Sequence, residues 1–130
     1  MTTALKVVMI VYGVILVLGG LADIIIPDQV AEMYGIGEIP SYAKWMAAGM
    51  GAIFIAAGVW VIAAGRDPLH HIYWVKFVIT KSILTVVVTV YSIAQGYVDF
   101  SQVGGLIIVD AVFAVAFLAL YPWRAARSSE

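Results

Sequence analysis

Lys81 and Asp110 are the two residues of this sequence whose positions make chemistry an issue. Lys81 stands near the middle of the apolar run 75–89, and Asp110 is the only carboxylate deep inside another apolar run. A charge left alone at the centre of a bilayer costs about 2.5–3.5 kcal/mol on insertion scales, so such residues turn toward a bundle interior and find a partner there. At about 1.5 Å per residue, Lys81 lies about 15 Å in from the start of its run and Asp110 about 11 Å in from the start of the next. In a hydrocarbon core about 30 Å thick the two reach nearly the same level. The expectation is an ion pair near the midplane, fixing how the third and fourth runs dock. The competing reading is a polar cavity lined by the same two residues, used to pass protons or to hold the polar head of a ligand.

Thr85 and Thr89 follow Lys81 by one and two helical turns on nearly the same face and extend it as a polar stripe toward Ser92 and Gln95. Threonines in membrane helices bond their own backbone or a neighbouring helix more often than a ligand. Asp23, about one turn before Pro27, and Lys44, at the start of the second run, are expected to pair at the outer interface. Lys76 is close enough to its helix end to snorkel. His70 and His71 are adjacent, so on a helix they point about 100° apart. No third histidine exists, and no metal site is expected. There is no cysteine, and no phosphate loop, nucleophile elbow, HExxH or dinucleotide fingerprint. Neither a cofactor nor an enzymatic activity is expected.

The elements that must position these residues follow from the composition. Of 130 residues 64% are hydrophobic and 12% charged, with a mean hydropathy of +1.04. Soluble domains are roughly 45–50% apolar and 25% charged, so this is the composition of a membrane protein. The net charge of −1 offers no basic surface for nucleic acid. Four runs, 4–26, 43–64, 71–94 and 103–121, each supply the roughly 20 apolar residues a spanning helix needs. They predict an all-α, integral membrane four-helix bundle with antiparallel neighbours, in a single domain covering 1–130. The first run lacks a cleavage site and is expected to remain as a helix.

Punctuation agrees with these boundaries. Pro27 stops the first span and Pro122 closes the fourth, while Ser41, Asp67-Pro68 and Ser101 are expected to open the second, third and fourth. Residues 28–34 alternate Val30, Met33 and Tyr34 with Asp28, Gln29 and Glu32, a pattern for a short interfacial helix. Lys6, Arg66, Arg124 and Arg127 fall on the side of the two termini, against Lys44 alone on the other, which predicts cytoplasmic termini in a bacterial inner membrane. Tyr42, Trp45, Tyr73, Trp74, Tyr97, Tyr121 and Trp123 cluster at span ends as interfacial aromatics do, with Trp60 deeper. Gly13 and Gly20 on the first span repeat at the interval of Gly51, Gly58 and Gly65 on the second. Small residues so spaced let helices approach inside the bundle, or form a seam for a partner or a second copy.

The segment Ile79-Thr80-Lys81-Ser82, the run Tyr91-Ser92-Ile93-Ala94-Gln95-Gly96-Tyr97-Val98-Asp99-Phe100 and the closing Leu120-Tyr121-Pro122-Trp123 resemble the small four-span BphX-like proteins, within the wider group of DoxX-like membrane proteins. The resemblance implies a four-helix integral membrane protein without an agreed activity, and the DoxX-like group is linked to oxidoreductase assemblies or quinone-related roles. It carries no catalytic residue onto this chain, which also lacks the cysteine or clustered histidine that electron transfer would use. The expected function is that of an accessory or assembly subunit of a membrane complex, or of a homo-oligomer. The alternatives are a binder or carrier of a small hydrophobic molecule (quinone, aromatic compound or lipid) with its head at the Lys81, Thr85, Asp110 level, and a proton-coupled transporter. The expected partners are the lipid bilayer and other membrane proteins or a second copy.

Overall fold

Pro27 has no backbone N–H to donate and sterically resists a preceding helical turn, so the first helix ends before it and a second begins on it. The computed structural model, which describes residues 2–122, accordingly has α1 over Thr2–Ile25 and α2 over Pro27–Met33, followed by α3 over Ser41–Gly65, α4 over Ile72–Ala94 and α5 over Phe100–Leu120. Trp123, Arg124 and Arg127 lie outside the described residues. The chain is all-helical, and α1, α3, α4 and α5 are each long and apolar enough to cross a membrane.

Three of the expected caps are corrected. Ser41 is the first residue of α3, which Pro40 precedes in an extended conformation without a side-chain cap. Asp67 and Pro68 belong to a turn, where Asp67 holds His70 at 2.6 Å, and α4 starts only after His71. Asp99, not Ser101, caps α5: its side chain accepts from the Gln102 backbone, and its own N–H donates to Gln102 Oε1 at 2.8 Å. This reciprocal pair satisfies two N–H groups that the helix start leaves free, which a serine already inside the helix cannot do.

The helices pair as two hairpins, α1 with α3 and α4 with α5, which meet each other less closely. Glycine makes the first hairpin. Gly13 faces Gly58 and Gly20 faces Gly51, so moving seven residues up α1 moves seven residues back along α3, the register of antiparallel helices. Seven residues are about two turns, which returns each glycine to the same face. The seams are thus filled within the chain.

The two hairpins close on each other only at the end that carries the start of α1 and the end of α5. There Leu5, Met9, Val61, Val75, Val78 and Phe117 form a core that is essentially fully buried. Trp60, half exposed, stacks on Trp74 at 6.5 Å, and Tyr121 is buried instead of sitting at the surface. Toward the other end the hairpins part, and α2 lies across the gap.

Candidate functional site

The packing that seals one half of the bundle leaves a cavity of about 400 Å3 in the other. Its floor is Tyr12 and Phe113, whose rings meet at 4.9 Å, with Phe117 set edge-on to Tyr12 at 5.4 Å below. Its roof is Val30, Met33 and Tyr34 from α2 and the residue that ends it. Between them the four long helices contribute Asp23, Met50 and Phe54, Lys81 and Thr85, and Asp110. The space runs from the middle of the bundle to the underside of α2.

Lys81 and Asp110 share this cavity but form no ion pair, contrary to the sequence expectation. Lys81 leans away from α5 and sits between two rings, its Nζ 5.5 Å from the centre of Tyr12 and 5.2 Å from that of Phe54. Ring faces are negative, so this sandwich stabilises the ammonium by about 0.5–2 kcal/mol and competes with a carboxylate for it. Asp110 is 5% exposed, and its Oδ2 is buried without a hydrogen-bond partner. Opposite charges from adjacent helices therefore face one space without touching.

Asp23 and Lys44 do not pair either. Lys44 meets Asp28 on α2 at 3.1 Å, one turn closer to the surface, and Asp23 turns inward to line the cavity. Thr85 lines the cavity too, but its hydroxyl donates to the Lys81 carbonyl at 2.8 Å, as Thr89 does to that of Thr85 at 2.7 Å. The threonine stripe has thus committed its protons to its own helix and can only accept from a ligand. Thr89 faces a second, lateral cleft between α3 and α4, open on the outer surface of the bundle, that shares Met50, Phe54, Lys81, Thr85 and Leu106 with the cavity. No group of three or more potential metal ligands occurs among the described residues.

Three contributors were not among the site residues expected from the sequence. Tyr12 gives the floor and half of the lysine sandwich, and Ser82 Oγ, fully buried, donates to its hydroxyl at 3.4 Å. Tyr34 gives the roof; burial, and secondarily the charges of Asp23 and Asp110, push its hydroxyl above the ordinary tyrosine range. Gln102 holds the roof in place, donating from Nε2 to the Gly35 carbonyl at 3.2 Å while its Oε1 completes the α5 cap. Gly35 turns the chain out of α2 with φ of 70°, a conformation open to glycine at little cost. The spacing of Asp99 and Gln102, acid then amide three residues later before an apolar run, is the sequence signal that could have revealed the cap, though not the bond to Gly35.

No protein-family model matches the chain, and no curated protein or solved structure matches it.

Proposed function

We propose that this membrane protein binds a small amphiphile dissolved in the bilayer, with the head at the level of Lys81 and Asp110 and the apolar body among the helices. The observation that carries the reading is the shared cavity: two opposite charges converge on it unpaired, and its remaining walls are mainly apolar and aromatic. A volume of about 400 Å3 lies within the range of small-molecule sites, which are mostly apolar with a few polar groups placed to orient the ligand. The cleft between α3 and α4 offers access from lipid, with Lys81 and Thr85 standing where it meets the cavity.

The accessory-subunit reading drew on the glycine seams, which are used up between α1 and α3. A transport path would have to cross the closed core at Met9, Val61, Val78 and Phe117, which favours a binder over a transporter. On the positive-inside rule, Lys6 and Arg66 at the closed end against Lys44 at the α2 end support termini in the cytoplasm of a bacterial cell and a cavity in the outer half of its inner membrane. The likeness to BphX-like and DoxX-like proteins is compatible with this proposal.

Gly19 supplies the test. It lines the cavity, and a Cβ built on it meets nothing within 4 Å. A Gly19→Phe variant is expected to keep its helicity and melting temperature while filling the site. Protein purified with its native lipids should carry a small amphiphile, detected by mass spectrometry after extraction, and the variant should lose it. Equal retention by both proteins would overturn the assignment.

A further inference from the structure

Lys81 and Asp110, which face the cavity together, each lack a different half of a hydrogen bond. The Lys81 ammonium has three protons to donate and lies only against ring faces, with no carboxylate in contact. Asp110 Oδ2 is a buried acceptor with no donor. A buried polar atom left without its partner costs about as much as a lost hydrogen bond, so the ligand that binds best is one that supplies both halves at once. A hydroxyl does so, since it donates one proton and accepts on two lone pairs.

The charges around the space narrow the choice further. α1 contributes Asp23, α4 Lys81 and α5 Asp110; Tyr34 faces in from the end of α2, and α3 offers only Met50 and Phe54. An anionic head would be drawn to Lys81 but would confront Asp110 across the same space. A cationic head would satisfy Asp110 but set a second positive charge beside Lys81. Asp23, eleven residues and about 16 Å beyond Tyr12 along α1, stands too far from that level to offset it. A neutral head leaves Lys81 and Asp110 to offset each other across it. Thr85, whose proton is already given to the Lys81 carbonyl, adds an acceptor within the same wall and favours a head that donates.

We infer that the site selects amphiphiles with a neutral hydroxyl head, which accepts from Lys81 and donates to Asp110 and so bridges two charges the fold keeps apart. This rests on the binding reading above and specifies the ligand class for it. The body is the single chain or ring system that fits among Ile15, Leu16, Leu106 and Val109.

The experiment compares four single-chain probes of equal length, an alkyl alcohol, alkylammonium, alkyl carboxylate and plain alkane, titrated into the full chain in lipid nanodiscs. Met33 and Met50 line the cavity but are also largely exposed, so the 13C shifts of their methyl groups report occupancy when read against that of Met46, which is exposed and lies outside it. The alcohol is expected to bind at least about tenfold more tightly than the alkane, the increment of one hydrogen bond to a charged group, and more tightly than either ion. Lys81→Met and Asp110→Leu should each remove part of the alcohol's advantage over the alkane, and the double variant should remove it. If any of these variants fails to fold, the ranking of the four probes on the unaltered protein still decides the matter.

A tighter ammonium or carboxylate would overturn the neutral head while leaving the cavity as a binding site. Equal binding of alcohol and alkane would overturn it too, showing that water and not the ligand head bridges the two charges. If no probe moves either methionine methyl, the binding reading itself fails along with the head-group inference.

Discussion

Gly20 and Gly51 face each other so closely that a Cβ built on either would stand 2.5 Å from the other's carbonyl oxygen. In a membrane, where lipid supplies no hydrophobic drive between helices, this approach lets backbone pack on backbone along α1 and α3. Gly51→Ala is expected to destabilise the protein by about 1–3 kcal/mol, the usual cost of overfilling a tight contact. Gly19→Ala, one residue from Gly20 but facing open space, should be neutral or stabilising by up to about 1 kcal/mol through helix propensity. Denaturant-induced unfolding in mixed micelles measures both, and an equal response would refute the tight α1–α3 contact.

The number of spans, their approximate limits and the glycine intervals were legible because they depend on periodicity and length, which one helix expresses alone. The partners of Lys81 and Asp23 were not. Depth along a helix can be counted from the sequence, and it put Lys81 and Asp110 near one level, but whether a side chain leans toward α5 or toward α1 and α3 depends on the gap between hairpins. That gap reflects how closely glycine packs α1 on α3 and how little the two hairpins meet, a property of all four helices together. Tyr12 was overlooked for a related reason: an aromatic within an apolar run looks like any other core residue until a cation is found over its ring.

Because Lys81 and Asp110 are not in contact, their removal should behave differently from the breaking of a buried salt bridge. Losing one partner of such a bridge costs about 3–5 kcal/mol, most of which the second deletion recovers. Here Lys81→Met and Asp110→Leu should each leave stability unchanged or raise it, since each takes an incompletely satisfied charge out of the bundle. Their coupling energy in a double-mutant cycle should stay below about 1.5 kcal/mol. A coupling of about 3 kcal/mol or more would mean that the two form a structural pair.

Lys44 and Asp28 are in contact, at 3.1 Å, yet their side chains are 43% and 55% exposed. Solvent screens a pair so placed, and its coupling is expected to be at most about 1 kcal/mol, weakening as salt is added. Asp23→Asn should show no measurable coupling to Lys44. Cycles of Lys44→Met with Asp28→Asn and with Asp23→Asn make the comparison, and a larger coupling in the second cycle would assign Lys44 to the wrong carboxylate.

Tyr34 provides a titration that reads the cavity from outside the spans. Its hydroxyl ionises above the ordinary tyrosine range, first because burial disfavours the phenolate and then because Asp23 and Asp110 repel it. With a folded-state pKa above the unfolded one, the contribution of Tyr34 is fully present below the unfolded value and is lost as pH rises through the folded value. Near-ultraviolet titration of the protein against a Tyr34→Phe variant isolates this group. Asp23→Asn should bring its ionisation part of the way back, leaving it still raised because burial is the larger cause. A return all the way to the ordinary value would show that charge and not burial controls Tyr34, and that the roof of the cavity is wetter than its packing implies.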